Sequence, residues 1–189
     1  TPFLIYLIAP GFIENQIKFD LAVELTRITF PFLLFVSLSS FFAGILNSNN
    51  KFAAAAAAPI ILNIVLIISL VVSYIFNLNY AEQLSYGVTI AGVIQLIFLI
   101  YVTKEFYNPR ISFNFKLSNK VKFFFRKLLP SIMSSGVTQI NILVGTIIAS
   151  FQTGAVSYLY YADRVYQINL AIAGIAVGTV SLPVLSKAF

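Results

Sequence analysis

Apolar positions in this chain run in long blocks rather than alternating with polar ones. The first block, FLIYLIA, stops at the Pro10-Gly11 turn signal. Five longer blocks follow at roughly 25–46, 54–76, 84–103, 129–151 and 155–182, segments A to E. Each matches the roughly 20 apolar residues that a bilayer-spanning helix needs. The pattern predicts an all-α polytopic transmembrane helix bundle of about five full spans, preceded by the end of a sixth. Pro31 in segment A and Pro59 in segment B are compatible with spanning helices, where neighbouring groups re-satisfy the freed backbone. A kink is expected at Pro31. The AAAAAA run at 53–58 carries high helix propensity and side chains small enough for a second helix to come close.

Composition agrees with the pattern: 59% of residues are hydrophobic and 10% charged, against about 25% charged in soluble domains. Mean hydropathy is +0.92. With neither Cys nor His, the chain offers no disulfide, no thiolate or imidazole metal site, no Cys nucleophile and no His general base. It contains neither a phosphate-cradling Gly-rich loop nor a zinc-binding spacing, and only Asp163 lies well inside a span, so no carboxylate pair is set up for acid–base work. No catalytic site, no metal site and no cofactor are expected. The chain opens on Thr1 within what looks like the end of an apolar span, so it is expected to be an internal fragment.

Net charge is +6, and seven of the twelve Lys and Arg residues fall between Lys104 and Lys127 (Lys104, Arg110, Lys116, Lys120, Lys122, Arg126 and Lys127), opposed only by Glu105. A basic cluster between apolar spans is what the positive-inside bias produces, so nucleic acid is not the expected partner. With that loop in the cytoplasm, Lys51 and Lys187 also fall inside, while Glu14, Lys18, Asp20, Glu24 and Glu82 fall outside. The segment LSNKVKFFFRKLLP could lie on the inner membrane face as an amphipathic helix, or serve only as a solvated linker that enforces topology.

Charges at the bilayer centre cost about 2.5–3.5 kcal/mol each on insertion scales and mark pathways or partners. Asp163 and Arg164 stand together in SYLYYADRVYQINL at 157–170. Adjacent helical residues point about 100° apart, so these two cannot mainly serve each other. Helical spacing from Arg164 picks out Tyr160, Gln167, Ala171, Gly174, Gly178 and Ser181, and segment D carries a matching face of Ser131, Ser134, Thr138, Asn141, Gly145 and Ala149. Two such faces fit a hydrated cavity between helices; the other reading is ordinary small-residue packing. Arg164 suits an anionic headgroup because guanidinium binds phosphate through a bidentate fork, the other reading being a salt bridge to a further helix. The expected substrate-binding residues are Arg164, Asp163, Gln167, Tyr160, Asn141 and Thr138. Asn63 is expected in a helix–helix hydrogen bond, and Arg27 either snorkels to the interface or faces the cavity.

The stretches APGF (9–12), LTRITFPFLLFVSLSSFFAGILNSNNKF (25–52), APIILNI (58–64), GVTQINILVGTIIASF (136–151) and GAVSYLYYADRVYQINLAIAGIAVGTVSLPVLSKAF (154–189) together resemble the MurJ (MviN) lipid II flippases. These belong to the multidrug/oligosaccharidyl-lipid/polysaccharide exporter superfamily. The resemblance implies a fourteen-helix, two-lobed transporter of the bacterial cytoplasmic (inner) membrane that flips the undecaprenyl-diphosphate-linked peptidoglycan precursor, lipid II, by alternating access. Residues 1–103 would then end the first lobe (the end of helix 3 and helices 4–6), 104–128 would be the cytoplasmic lobe linker, and 129–189 would begin the second lobe (helices 7–8). The family's essential cavity arginine in its eighth helix maps onto Arg164. Gly145 departs from the acidic sodium ligand that some members carry, which leaves sodium, proton or membrane-potential coupling open. Membrane lipids and cell-wall synthesis proteins are the implied partners. The alternatives are a flippase for another polyprenyl-diphosphate oligosaccharide, a cation-coupled exporter of the same superfamily, or a non-transporting scaffold for cell-wall assembly.

Overall fold

The computed structural model describes residues 1–107 and 119–170, the latter without the side chains of Lys120, Lys127, Leu129, Ser131, Ser134, Ser135, Asn169 and Leu170. Every regular element among the described residues is helical: α1 (Pro2–Ile8), a 3-10 turn (Pro10–Glu14), α2 (Gln16–Thr29), α3 (Pro31–Ser48), α4 (Phe52–Phe76), α5 (Tyr80–Thr103), α6 (Asn119–Ser150) and α7 (Ala155–Leu170). Three stretches are long and apolar enough to cross a bilayer, namely Gln16–Ser48, Phe52–Phe76 and Tyr80–Thr103, with 33, 25 and 24 residues. They contain segments A, B and C. Segment D supplies the apolar Gly136–Ser150 end of α6, and segment E supplies α7 as far as Leu170. Arg110, Lys116, Ala171, Gly174, Gly178, Ser181 and Lys187 lie outside the described residues, as does the family-like tail after Leu170.

Helix boundaries follow local chemistry. Pro31 has no N–H to give the carbonyl four residues back, and the ladder breaks there: α2 ends at Thr29, and the Leu33 N–H bonds to the Phe30 carbonyl at 3.1 Å in a tightened turn. Asn77 closes α4 in the left-handed region at φ 52°, where Asn is among the few residues tolerated. Two residues on, the Asn79 side chain caps α5 by accepting from the Ala81 N–H at 3.0 Å. The basic segment after Ser118 and segment D form one continuous helix, α6, which runs through Pro130.

The chain divides into two compact units, Thr1–Pro2 with Ile17–Leu117, and Phe3–Gln16 with Ser118–Phe189. In the first, α5 packs against both α3 and α4. Phe42, Leu46 and Leu99 form its core, and Ala54 and Ala58 pack against it, so part of the alanine run does admit a close neighbour. Glycines in α5 set the helix separations: a Cβ on Gly92 would lie 2.7 Å from the Phe32 ring of α3, and one on Gly87 would collide with Ser69 of α4. Two polar side chains, buried Gln95 and half-buried Thr89, meet backbone carbonyls of other helices. Gln95 donates to the Ala58 carbonyl at 2.7 Å, at the peptide leading into Pro59, and Thr89 donates to the Ile28 carbonyl at 2.6 Å, beside the break at Pro31. The Ser39 and Thr103 hydroxyls are buried without a partner among the described residues. Lys51 lies 5.3 Å over the Phe106 ring, so the α3–α4 turn and the C-terminal end of α5 share one end of this unit, as the alternation of loops requires.

Asn63, expected to bond a neighbouring helix, is instead exposed on α4. The α4 side turned toward α5 carries Leu66 and Ser69, and Gln95 of α5 supplies the interhelical hydrogen bond.

In the second unit, the Pro10-Gly11 signal forms the 3-10 turn, which packs on the end of α6. The Gly11 N–H donates to Ser150 Oγ at 3.0 Å, and a Cβ on Gly11 would run into the Ser150–Phe151 backbone. Only glycine permits that approach.

Candidate functional site

The site is built on α6 and α7, and a very short reversal brings them together. Gly154 takes φ +77°, a left-handed conformation that side chains disfavour, and the Tyr158 N–H closes onto its carbonyl at 3.1 Å to start α7. The chain therefore turns back at once, and α7 runs antiparallel to α6. Gly145 faces Leu159 at this contact; a Cβ there would sit 3.6 Å from Leu159 Cδ2, ordinary van der Waals contact.

Between the two helices lies a groove of about 410 Å³ lined by Asn141, Ile142, Gly145, Thr146, Val156, Leu159, Tyr160 and Asp163. Its walls are mainly apolar, with a few convergent polar groups, the usual make-up of a small-ligand site. Asp163 is the only ionisable carboxylate in the lining. Thr146 spends its hydroxyl locally, donating to the Ile142 carbonyl at 2.9 Å. Among the described residues no three Asp or Glu side chains converge as a metal cage.

Arg164 stands one position on from Asp163 and is not part of the groove lining. Its Nη2 donates to the Tyr160 hydroxyl at 2.9 Å and its Nη1 to Gln167 Oε1 at 3.4 Å, while its Cζ lies 4.8 Å from the Tyr160 ring centroid. Gln167 Nε2 in turn donates to Asp163 Oδ2 at 2.6 Å. The two charges are thus linked through an amide one turn along the helix, in keeping with the roughly 100° between adjacent residues. All four side chains are exposed on α7.

Of the residues picked out from the sequence, Asn141, Tyr160 and Asp163 meet in the groove, and Tyr160, Asp163, Arg164 and Gln167 are joined by hydrogen bonds. Thr138 belongs to neither arrangement and is exposed earlier on α6. Thr146 was not expected; its spacing of five from Asn141 takes it off the small-residue stripe of segment D. Arg27 is exposed in the last turn of α2, in the other compact unit.

A family model described as lipid II flippase MurJ matches residues 1–189. Similar proteins include the probable lipid II flippase MurJ of Rickettsia prowazekii, 44% identical over 100% of this chain and 37% of its own length. The probable lipid II flippase MurJ of Rhizobium tropici is 41% identical over 96% of this chain and 35% of its own length. The lipid II flippase MurJ of Burkholderia cenocepacia is 35% identical over 98% of this chain and 37% of its own length. The chain spans little more than a third of the length of the curated relatives it matches.

Proposed function

This chain belongs to the lipid II flippase MurJ family, and from that premise we propose that the full-length protein flips a lipid-linked diphosphate cell-wall precursor, lipid II, across the bacterial cytoplasmic membrane. It is a multi-pass transporter rather than an enzyme. Residues 1–103 belong to one lobe and 129–189 to the other, with 104–128 as the cytoplasmic connection; the division into compact units at Leu117 and Ser118 supports a boundary in that loop, although the same division groups Phe3–Gln16 with the second unit. The basic cluster of Lys104, Lys120, Lys122, Arg126 and Lys127 supports its cytoplasmic side.

The observation that carries the reading is the state of Arg164. A guanidinium has five N–H donors and cannot lose its charge. Arg164 uses one donor on Tyr160 and one on Gln167, and its others have no partner among the described residues. A planar cation with open donors, beside a groove of about 410 Å³, is suited to a diphosphate. The head enters the hydrated space from the cytoplasm, Arg164 binds its phosphates with groups from the rest of the protein, and movement of the lobes exposes it on the far side. The lipid tail stays in the bilayer.

In the full-length protein, Arg164→Ala abolishes flipping of the lipid-linked precursor while expression and membrane insertion persist. Flipping at the wild-type rate by that variant rules out the assignment, and is what a non-transporting scaffold would give.

A further inference from the structure

Asp163 has no evident task in holding an anion, yet it lies next to the residue that does so in the function proposed above. We propose that Asp163 and Gln167 are positioning residues for Arg164, with the Gln167 amide relaying the carboxylate's influence to the guanidinium. The geometry lies within two turns of α7. Gln167 Oε1 accepts from Arg164 Nη1 at 3.4 Å, and Gln167 Nε2 donates to Asp163 Oδ2 at 2.6 Å. On the other flank, the Tyr160 hydroxyl accepts from Nη2 at 2.9 Å, with its ring 4.8 Å from Cζ.

An amide has one acceptor end and one donor end, so the chemistry of its neighbours fixes its orientation. Reversed, Gln167 would turn its NH2 group toward a cation and its oxygen toward a carboxylate, both repulsive. Asp163 therefore holds the amide with its oxygen toward Arg164. The short contact to a charged acceptor is the stronger of the two hydrogen bonds and anchors the chain of contacts. A free Arg side chain gives up rotamer entropy when it is immobilised. Tyr160 and Gln167 restrain the guanidinium at both terminal nitrogens before a ligand arrives, so less ordering remains for binding.

The relay also separates the roles of the two charges. Arg164 meets the diphosphate. Asp163, which lines the groove toward α6, acts on it only through Gln167. Direct pairing of Asp163 with Arg164 would occupy the donors that a phosphate needs, whereas the relay takes only one of them.

The test measures binding of a polyprenyl diphosphate to the full-length protein in nanodiscs, with Arg164→Ala setting the floor. Removing a hydrogen bond to a charged group is expected to weaken binding about tenfold, so Gln167→Leu and Asp163→Leu should each do so. Asp163→Asn, whose side-chain oxygen can still accept from Gln167, should bind within about threefold of wild type. The double variant Asp163→Leu/Gln167→Leu should be no weaker than the worse single variant, because both remove the same relay. Gln167→Met serves as a second variant of similar length that keeps the helix intact. Additive losses, or wild-type affinity in Gln167→Leu and Gln167→Met while Arg164→Ala loses binding, overturn the relay alone. Wild-type affinity in Arg164→Ala overturns the phosphate-binding reading on which it rests.

Discussion

The α3–α5 group and the α6–α7 pair both place polar side chains among apolar helices, and they satisfy them in opposite ways. In the first, Gln95 and Thr89 reach across to backbone carbonyls of other helices, Ala58 and Ile28, and Ser73 and Ser85 bond carbonyls one turn back on their own helices. Backbone carbonyls cannot move away or change charge, so the Gln95 and Thr89 contacts fix helix positions. In the second, Tyr160, Arg164, Gln167 and Asp163 bond one another through exposed side chains of a single helix. Those contacts orient a charge without joining two helices. A polar group that ends on another helix's backbone holds the fold together, and one that ends on a neighbouring side chain is available for a ligand.

That contrast breaks if substitutions in the two regions have the same kind of effect. The largest expected change is in function: Arg164→Ala should bring flipping by the full-length protein to background with its apparent melting temperature unchanged, measured by a lipid-precursor accessibility assay beside thermal unfolding in detergent. Next comes Gly92→Leu, which drives a side chain into Phe32 and Phe35 and should lower stability by about 1–3 kcal/mol or more through overpacking. Thermal unfolding should show that loss, and at a temperature where the variant remains folded its affinity for the diphosphate should match wild type. Gln95→Leu should cost about 0.6–1 kcal/mol, the scale of one hydrogen bond between membrane helices. A larger loss would mean that the turn at Pro59 depends on this contact more than packing does. Asn63→Leu, on the exposed side of α4, should change stability by no more than about 0.5 kcal/mol.

The outline of the first region was legible in the sequence. Segments B and C correspond to α4 and α5, the break at Pro31 separates α2 from α3, and Ala54 and Ala58 pack at the core. Asn63 was misplaced and Gln95 overlooked for a common reason. Segments B and C are apolar on nearly every side, and lipid tails are as apolar as leucine, so hydropathy does not distinguish the face turned to lipid from the face turned to a helix. In α7 the charged and tyrosine-bearing stripe narrows the choice. Helical spacing alone relates Tyr160 to Arg164 and Gln167, and the same spacing excludes a direct Asp163–Arg164 pair.

By itself the sequence determined that this is a membrane-spanning, all-helical chain, where several of its helices break, and that Arg164 must find a partner other than its neighbour. These follow from local properties: residue volume and polarity, the N–H that proline lacks, and the 3.6-residue turn. Only the tertiary structure decided that Gly92 and Gly87 set the spacing of α5, that Gln95 reaches the Ala58 carbonyl, and that Asp163 with Asn141 faces the α6–α7 groove while Arg164 does not. Those outcomes depend on the rotation of each helix about its axis. That rotation is set by the fit of small and large side chains between helices, which a one-dimensional pattern of hydrophobicity does not encode.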